Sequence, residues 1–300
     1  MSSWLFYAIL SPVVFAAINF VDKYLLESRV KNYLGMPIYS SIAGLLFGTM
    51  AWVYLGFPLL NIIDGILVLV TGVLSIIALV VYFQALSDEE TSSVIILFQL
   101  TPVFSMVLSF LFLGEVITLK QFLGFTLIIL AAIGASLKLK NNKFEISKAF
   151  WLIFACDIIW ALTNVIFKFV SEENSFGSLL VYEGWGFGLG GIILWQLFPK
   201  IKAAFLENFH ESGLFVSFII FINEALYVIA RLVTYYAITL GSVTLVSVIG
   251  STQVFFGVIY GIILSIFLPK IFSEDVKISS IGKKLLLAVL AFFGIYIIGS

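Results

Sequence analysis

Ten apolar runs, each about long enough to cross a lipid bilayer, follow one another along the chain. A spanning helix needs roughly 20 mostly apolar residues. Hydrophobic residues make up 62% of the 300 and charged residues 11%, whereas a soluble domain carries about 25% charged residues. The sequence therefore predicts an all-α membrane protein with ten transmembrane helices. Their approximate bounds are 4–26, 34–56, 62–86, 92–113, 118–137, 149–170, 177–198, 213–239, 242–267 and 281–299.

A polar stretch at 138–148 divides these runs into two sets of five. We predict one five-helix repeat over residues 1–140 and a second over 149–300. Because each repeat has an odd number of spans, the second must enter the membrane upside down, as in the inverted repeats of many secondary transporters.

A polar stripe occurs once in each half, at an offset of 145 residues. Spacings of four put the three side chains of each copy on one helix face. Since the halves are inverted, the two lysines should approach opposite membrane faces, which suits gates or helix ends better than one shared site. The copies are Asn19, Lys23 and Glu27, and Asn164, Lys168 and Glu172.

Basic residues concentrate in the connections on one side of the predicted bundle. Lys120 alone lies in a connection on the other side. The positive-inside rule then predicts that both chain termini lie outside. The residues on the basic side are Arg29, Lys31, Lys138, Lys140, Lys143, Lys148, Lys200, Lys202, Lys270, Lys277, Lys283 and Lys284.

The stretch Leu97–Leu137 resembles the EamA-type permeases of the drug/metabolite transporter superfamily. The similarity is carried by Pro102, by the Leu-Gly-Glu ending at Glu115 and by Gly124 of the next span. The second half departs from the pattern, because Gln253 replaces the proline and the fourth span ends in Leu-Pro-Lys. The resemblance implies export or exchange of a small metabolite, such as an amino acid, nucleotide sugar, sugar phosphate or drug-like solute. It also implies cytoplasmic termini, contrary to the distribution of basic residues.

Ionisable side chains inside spans are costly and mark functional candidates. Glu224 and Arg231 are seven residues apart on one face of the eighth span. Arg231 could hold an anionic group through its planar fork, and Glu224 could bind an amine or a coupling proton. Both could also be structural, paired with neighbouring helices.

Other candidates for binding substrate or a coupling ion lie on five spans. The glycines around Glu183 are expected to allow close helix packing. The candidates are Asp157, Trp160 and Asn164 on span six, Glu183 on span seven, Tyr227 on span eight, and Gln99 and Gln253 at the openings of spans four and nine. Asn19, Lys23 and Lys168 are candidate gate or pathway residues.

The sequence predicts no enzyme, cofactor or metal site. The single His210 and single Cys156 offer no multi-ligand metal set, and a net charge of −1 offers no nucleic-acid footprint. The predicted partners are a small-molecule substrate, a coupling proton or cation, and lipids of the cell membrane. A monomer and a homodimer both remain open. A lipid-linked sugar flippase is the alternative function, and an intramembrane lipid-modifying enzyme is a weaker one.

Overall fold

The computed structural model describes residues 3–114, 118–140, 143–268 and 278–299. Within these ranges the apolar runs form helices. Two single 3₁₀ turns lie at Tyr33–Gly35 and Phe98–Leu100. The helices are α1 (Ser3–Ser28), α2 (Met36–Tyr54), α3 (Ile62–Asp88), α4 (Thr91–Leu97), α5 (Thr101–Leu113), α6 (Leu119–Ser136), α7 (Lys148–Ser171), α8 (Phe176–Leu197), α9 (Pro199–Leu240), α10 (Val243–Gly250), α11 (Gln253–Phe267) and α12 (Ile278–Gly299).

Among the described residues, eight helical stretches are long and apolar enough to cross a membrane, counting α4–α5 and α10–α11 as one stretch each. The chain is therefore an integral multi-pass membrane protein. Several of these helices begin at a side chain that caps the first turn by accepting a backbone N–H. The caps are Asn61 for α3, Ser147 for α7, Ser175 for α8 and Ser242 for α10.

Two elements have more structure than the sequence alone predicted. In the polar stretch after α6, β1 (Leu137–Lys140) and β2 (Lys143–Ile146) pair as antiparallel strands. The eighth span is part of the longer α9, which bends at Gly213, where φ is 77°. Only a residue without a side chain adopts that conformation at low cost.

The fourth and ninth spans are interrupted rather than continuous. The first interruption is the 3₁₀ turn Phe98–Leu100, because Pro102 has no N–H to give to the Phe98 carbonyl, which accepts instead from Thr101. The second is the turn at Ser251 and Thr252, between α10 and α11. Of the residues considered above, Glu115, Pro269, Lys270 and Lys277 lie outside the described ranges.

Helices α3 and α7 run antiparallel, as contacts at both of their ends show. Asn174, just after α7, donates to Asp64 at the start of α3 at 2.7 Å. At the other end, Lys148 lies 3.9 Å from Asp88. Since Lys31 also pairs with Glu211, the polar connections meet in pairs at the ends of the bundle.

Helix α8 packs very closely against α2 and α3 through its glycines. A Cβ placed on Gly184 would lie 2.5 Å from the Gly44 carbonyl oxygen and 2.6 Å from the Cα of Gly48. A Cβ on Gly186 would lie 2.9 Å from the Cα of Gly72. Because the contacts are to backbone, they cannot be relieved by a rotamer change, so these glycines set the helix separation.

We expect Gly184→Ala to lower the free energy of unfolding by about 1–3 kcal/mol, the usual cost of overpacking. The thermal unfolding midpoint of the purified protein measures this. Gly282→Ala in α12 is the matched control, because no described atom lies within 4 Å of the position that its new Cβ would occupy. An unchanged midpoint in the Gly184 variant would contradict the close packing.

Candidate functional site

A cavity of about 140 Å³ lies where the two interrupted helices approach each other. At about 30 Å³ for each water in the liquid, it has room for roughly five water molecules. Helices from both halves of the chain line it, including α1, α3, α7 and α9. Its polar lining residues are Ser11, Asn19, Asp22, Tyr82, Gln99, Thr101, Trp160, Asn164, Tyr227, Arg231, Thr234, Tyr235, Ser247, Ser251 and Gln253.

A chain of hydrogen bonds crosses from the second half to the first beside this cavity. Gln253 at the start of α11 donates to the Asn19 oxygen at 2.6 Å. The Asn19 amide donates to the Tyr82 hydroxyl at 2.7 Å, and that hydroxyl donates to Asp22 at 2.7 Å. The other Asp22 oxygen accepts from Asn223 of α9 at 2.6 Å. The chain therefore holds α1, α3, α9 and α11 in register.

The interruption in the first half is held in a comparable way by the second half. Thr101, which opens α5, donates to Asp157 of α7 at 2.5 Å. Ser247 of α10 also donates to Ser105 of α5 at 3.1 Å. The first helix of each half thus holds the helix that restarts after the interruption in the other half.

Arg231 is held in a buried network of its own at the edge of the cavity. Its Nε lies 3.3 Å from Glu183 of α8, and one terminal nitrogen donates to Thr163 at 3.0 Å and to the Tyr235 hydroxyl. Thr71 of α3 donates to the other Glu183 oxygen. Arg231 and Glu183 therefore neutralise each other and join α3, α7, α8 and α9.

Three polar atoms of the cavity wall have no hydrogen-bond partner among the described residues. They are the Gln99 oxygen, the indole N–H of Trp160 and the hydroxyl of Tyr227. An unmet buried polar group costs about 1–3 kcal/mol. All three atoms belong to residues that line one cavity.

Seven of the predicted site residues line the cavity, and the other five lie in the surrounding structure. The seven are Arg231, Asn164, Trp160, Tyr227, Gln99, Gln253 and Asn19. The others are Glu224, which accepts a hydrogen bond from Ser40, Asp157, Glu183, Lys23 and Lys168.

The two lysines of the repeated stripe lie near opposite ends of α3. Lys23 donates to the Leu86 carbonyl at 2.8 Å and pairs with Glu27 at 3.2 Å. Lys168 lies in the last turn of α7. This end of α7 lies beside the start of α3, where Asn174 contacts Asp64. Asn19, the third candidate for a gate or pathway, lies instead on the cavity wall.

Sequence reasoning passed over Asp22 and Tyr82, the middle of the hydrogen-bonded chain. Asp22 stands beside Lys23 within the repeated stripe, so an intramembrane carboxyl was a usable signal. Tyr82 gave none, because it is one of 12 tyrosines in an aromatic-rich chain.

Comparisons with known proteins agree with this architecture. Residues 2–137 match the EamA-like transporter family. A protein of known crystal structure superposes with a TM-score of 0.62 over 98% of this chain and 95% of its own, at 13% identity, which is a likeness of fold alone.

A sequence relative points the same way. An uncharacterized transporter of Methanothermobacter thermautotrophicus is 27% identical over 211 residues, which cover 64% of this chain. The chain spans 60% of the length of that relative. The first half of the chain thus matches the EamA-like transporter family, and the resemblance to EamA-type permeases is confirmed.

Removing one member of the Arg231–Glu183 pair should destabilise the protein strongly. We expect Glu183→Gln or Arg231→Met alone to cost about 3–5 kcal/mol, because each leaves a buried partner unmatched. The double variant should cost less than the sum of the two, as measured by thermal or denaturant unfolding. Additive losses would show that the two side chains do not act as a pair.

Proposed function

We propose that this protein is a secondary transporter that moves a small organic metabolite across the membrane, by export or exchange. The observation that carries the proposal is the polar cavity between two interrupted helices, one from each half of the chain. In membrane transporters, interrupted helices at corresponding places in two repeats mark the substrate site. The family match of the first half supports the same function.

We further propose that the chain has ten transmembrane helices arranged as two inverted five-helix repeats. In this scheme α1, α2, α3 and α6 correspond to α7, α8, α9 and α12, and α4–α5 corresponds to α10–α11. If the two repeats are equivalent, the contact between α3 and α7 should have a counterpart between α9 and α1, and the contact between α5 and α7 a counterpart between α11 and α1. All four pairs of helices are in contact. Each of the pairs α2–α8 and α6–α12 joins two equivalent helices, and both pairs pack extensively.

Alternating access would then rock elements of the two halves around the cavity. We expect the contacts at the interruptions to change, since a short 3₁₀ segment inside a helix often acts as a hinge. They include the bonds from Gln253 to Asn19 and from Ser247 to Ser105.

The cavity wall suits an organic solute that carries hydrogen-bonding groups of both kinds. Phe15, Phe98 and Trp160 supply ring faces, and the unpartnered atoms of Gln99 and Tyr227 supply polar contacts. Pockets of this mixed kind orient small molecules by a few polar groups against an apolar wall. Amino acids, nucleotide sugars, sugar phosphates and drug-like solutes are the classes to test, in the cell membrane and with lipid as the surrounding partner.

The proposal can be tested by exchange of solute across liposomes. A thermal-shift screen of the purified protein first selects solutes that stabilise the fold, and counterflow of the labelled solute then measures exchange. In a Cys156→Ser background, Ser251→Cys on the cavity wall should become sensitive to an impermeant thiol reagent, and the solute should protect it.

Ser87→Cys is the matched control for this test, because Ser87 is exposed at the end of α3. Its modification should leave exchange unchanged. If no stabilising solute exchanges in wild-type liposomes, the protein is not a transporter of those solutes. If the Ser251→Cys thiol is modified without loss of exchange, the cavity is not the pathway.

We expect Trp160→Phe to weaken solute binding while leaving the unliganded protein at least as stable. The variant removes the buried, unpartnered indole N–H but keeps a ring in place. Loss of one hydrogen bond of about 1–1.5 kcal/mol corresponds to roughly tenfold in Kd. Trp195→Phe, at the far end of α8 beside Lys202, is the control. Equal Kd values for the two variants would exclude a contact between Trp160 and the solute.

A further inference from the structure

The deepest carboxyl groups of the bundle are not balanced by basic groups. Asp22, Asp157, Glu183 and Glu224 are all buried within membrane helices, whereas Arg231 is the one buried cation among the described residues. Arg231 already forms an ion pair with Glu183. Unpaired charge inside a bilayer is costly, so the remaining carboxyl groups need another positive partner.

Asp22 and Glu224 meet as a pair across the α1–α9 contact. Asn223, the residue before Glu224 on α9, donates to Asp22 of α1 at 2.6 Å, and the Asp22 and Glu224 carboxyl groups interact across this contact. Each of the two side chains is at most 2% exposed. Two carboxyl groups that share one site cannot easily both be ionised. A hydrogen bond between them also requires a proton, since an ionised carboxylate only accepts.

Three of the four carboxyl oxygens of this site already accept a hydrogen bond from the protein. Asp22 accepts from Tyr82 and Asn223, and one Glu224 oxygen accepts from Ser40. The second oxygen of Glu224 is buried and has no hydrogen-bond partner of ordinary geometry among the described residues. The free Glu224 oxygen beside the Asp22 carboxyl group suits one shared proton, and the comparison of sodium with potassium below tests the alternative of a bound sodium ion.

The surroundings of the pair supply hydroxyl and amide groups rather than charge. Tyr82 of α3 donates to Asp22, and Ser40 of α2 donates to Glu224. Tyr227 lies about one helical turn after Glu224 on α9. The nearest charged groups bind elsewhere, since Arg231 pairs with Glu183 and Lys23 contacts the Leu86 carbonyl and Glu27.

We propose that the Asp22–Glu224 pair binds one proton and is the coupling site of this transporter. The inference rests on the proposed transport function and names its coupling ion. Asp22 lies on the cavity wall and is joined through Tyr82 and Asn19 to Gln253, at the restart of the interrupted α10–α11 helix. Loading and release of the proton would therefore change the bond that holds one half of the transporter against the other.

Infrared spectroscopy tests the proton site without any solute. In lipid, the wild-type protein should show the C=O band of a protonated carboxylic acid that disappears as the pH is raised. Glu224→Gln and Asp22→Asn should each change the frequency or the pH midpoint of that titrating band, and Glu211→Gln, whose exposed carboxyl group pairs with Lys31, should not. A titrating band that is unchanged in both variants, or that sodium chloride abolishes at constant pH while potassium chloride does not, would overturn the proposal.

Transport in liposomes tests the coupling. A pH gradient should drive accumulation of an exchanged solute by the wild-type protein and by Glu211→Gln, and this accumulation should be lost in Glu224→Gln and Asp22→Asn. If the wild type exchanges solute but a pH gradient drives no accumulation, the coupling inference fails while the transport function stands. If the wild type exchanges nothing, the transport function fails, and the infrared titration still decides whether the pair holds a proton.

Thermal unfolding of the two isosteric variants checks that each is folded. If one fails to fold, the other carries both tests, because either substitution removes one of the two carboxyl groups that share the proton.

Discussion

A helix that is interrupted inside a bilayer loses regular backbone bonds where no water can replace them, so the protein itself must hold the interruption in place. Here side chains of the opposite half do this. Asp157 holds the restart at Thr101, and Asn19 holds the restart at Gln253. Because each interruption depends on the other half, the cavity exists only when the two halves are packed together.

Two pairs of ionisable side chains are buried within the bundle, and they differ in kind. Arg231 and Glu183 form a closed network with Thr71, Thr163 and Tyr235 that joins four helices at the edge of the cavity. Asp22 and Glu224 have hydrogen-bond donors around them but no basic partner among the described residues. The first pair is complete within the protein, whereas the second needs a positive charge from outside, which is why we assign structure to one and coupling to the other.

Much of the membrane architecture could be predicted because lipid imposes a simple rule on composition and length. The apolar runs predicted the helices. The interruption of the fourth span was not predicted, although Pro102, which has no backbone N–H, was a usable signal. The comparable turn at Ser251 and Thr252 was harder, because Gln253 occupies the position of that proline. There the hydroxyls of Ser251 and Thr252 donate to carbonyls in the preceding turn, an effect that spacing alone does not reveal.

The sequence by itself determined which segments enter the membrane and which polar residues go with them, since burying a polar side chain in lipid is costly wherever it occurs. Only the tertiary structure decided how those residues are used. Glu224 and Arg231 lie on one helix face in the sequence, yet one meets Asp22 of α1 and the other Glu183 of α8. Which side chains become partners depends on which helices pack together. Helix packing is set by close backbone contacts such as Gly184 against Gly48, not by spacing along the chain.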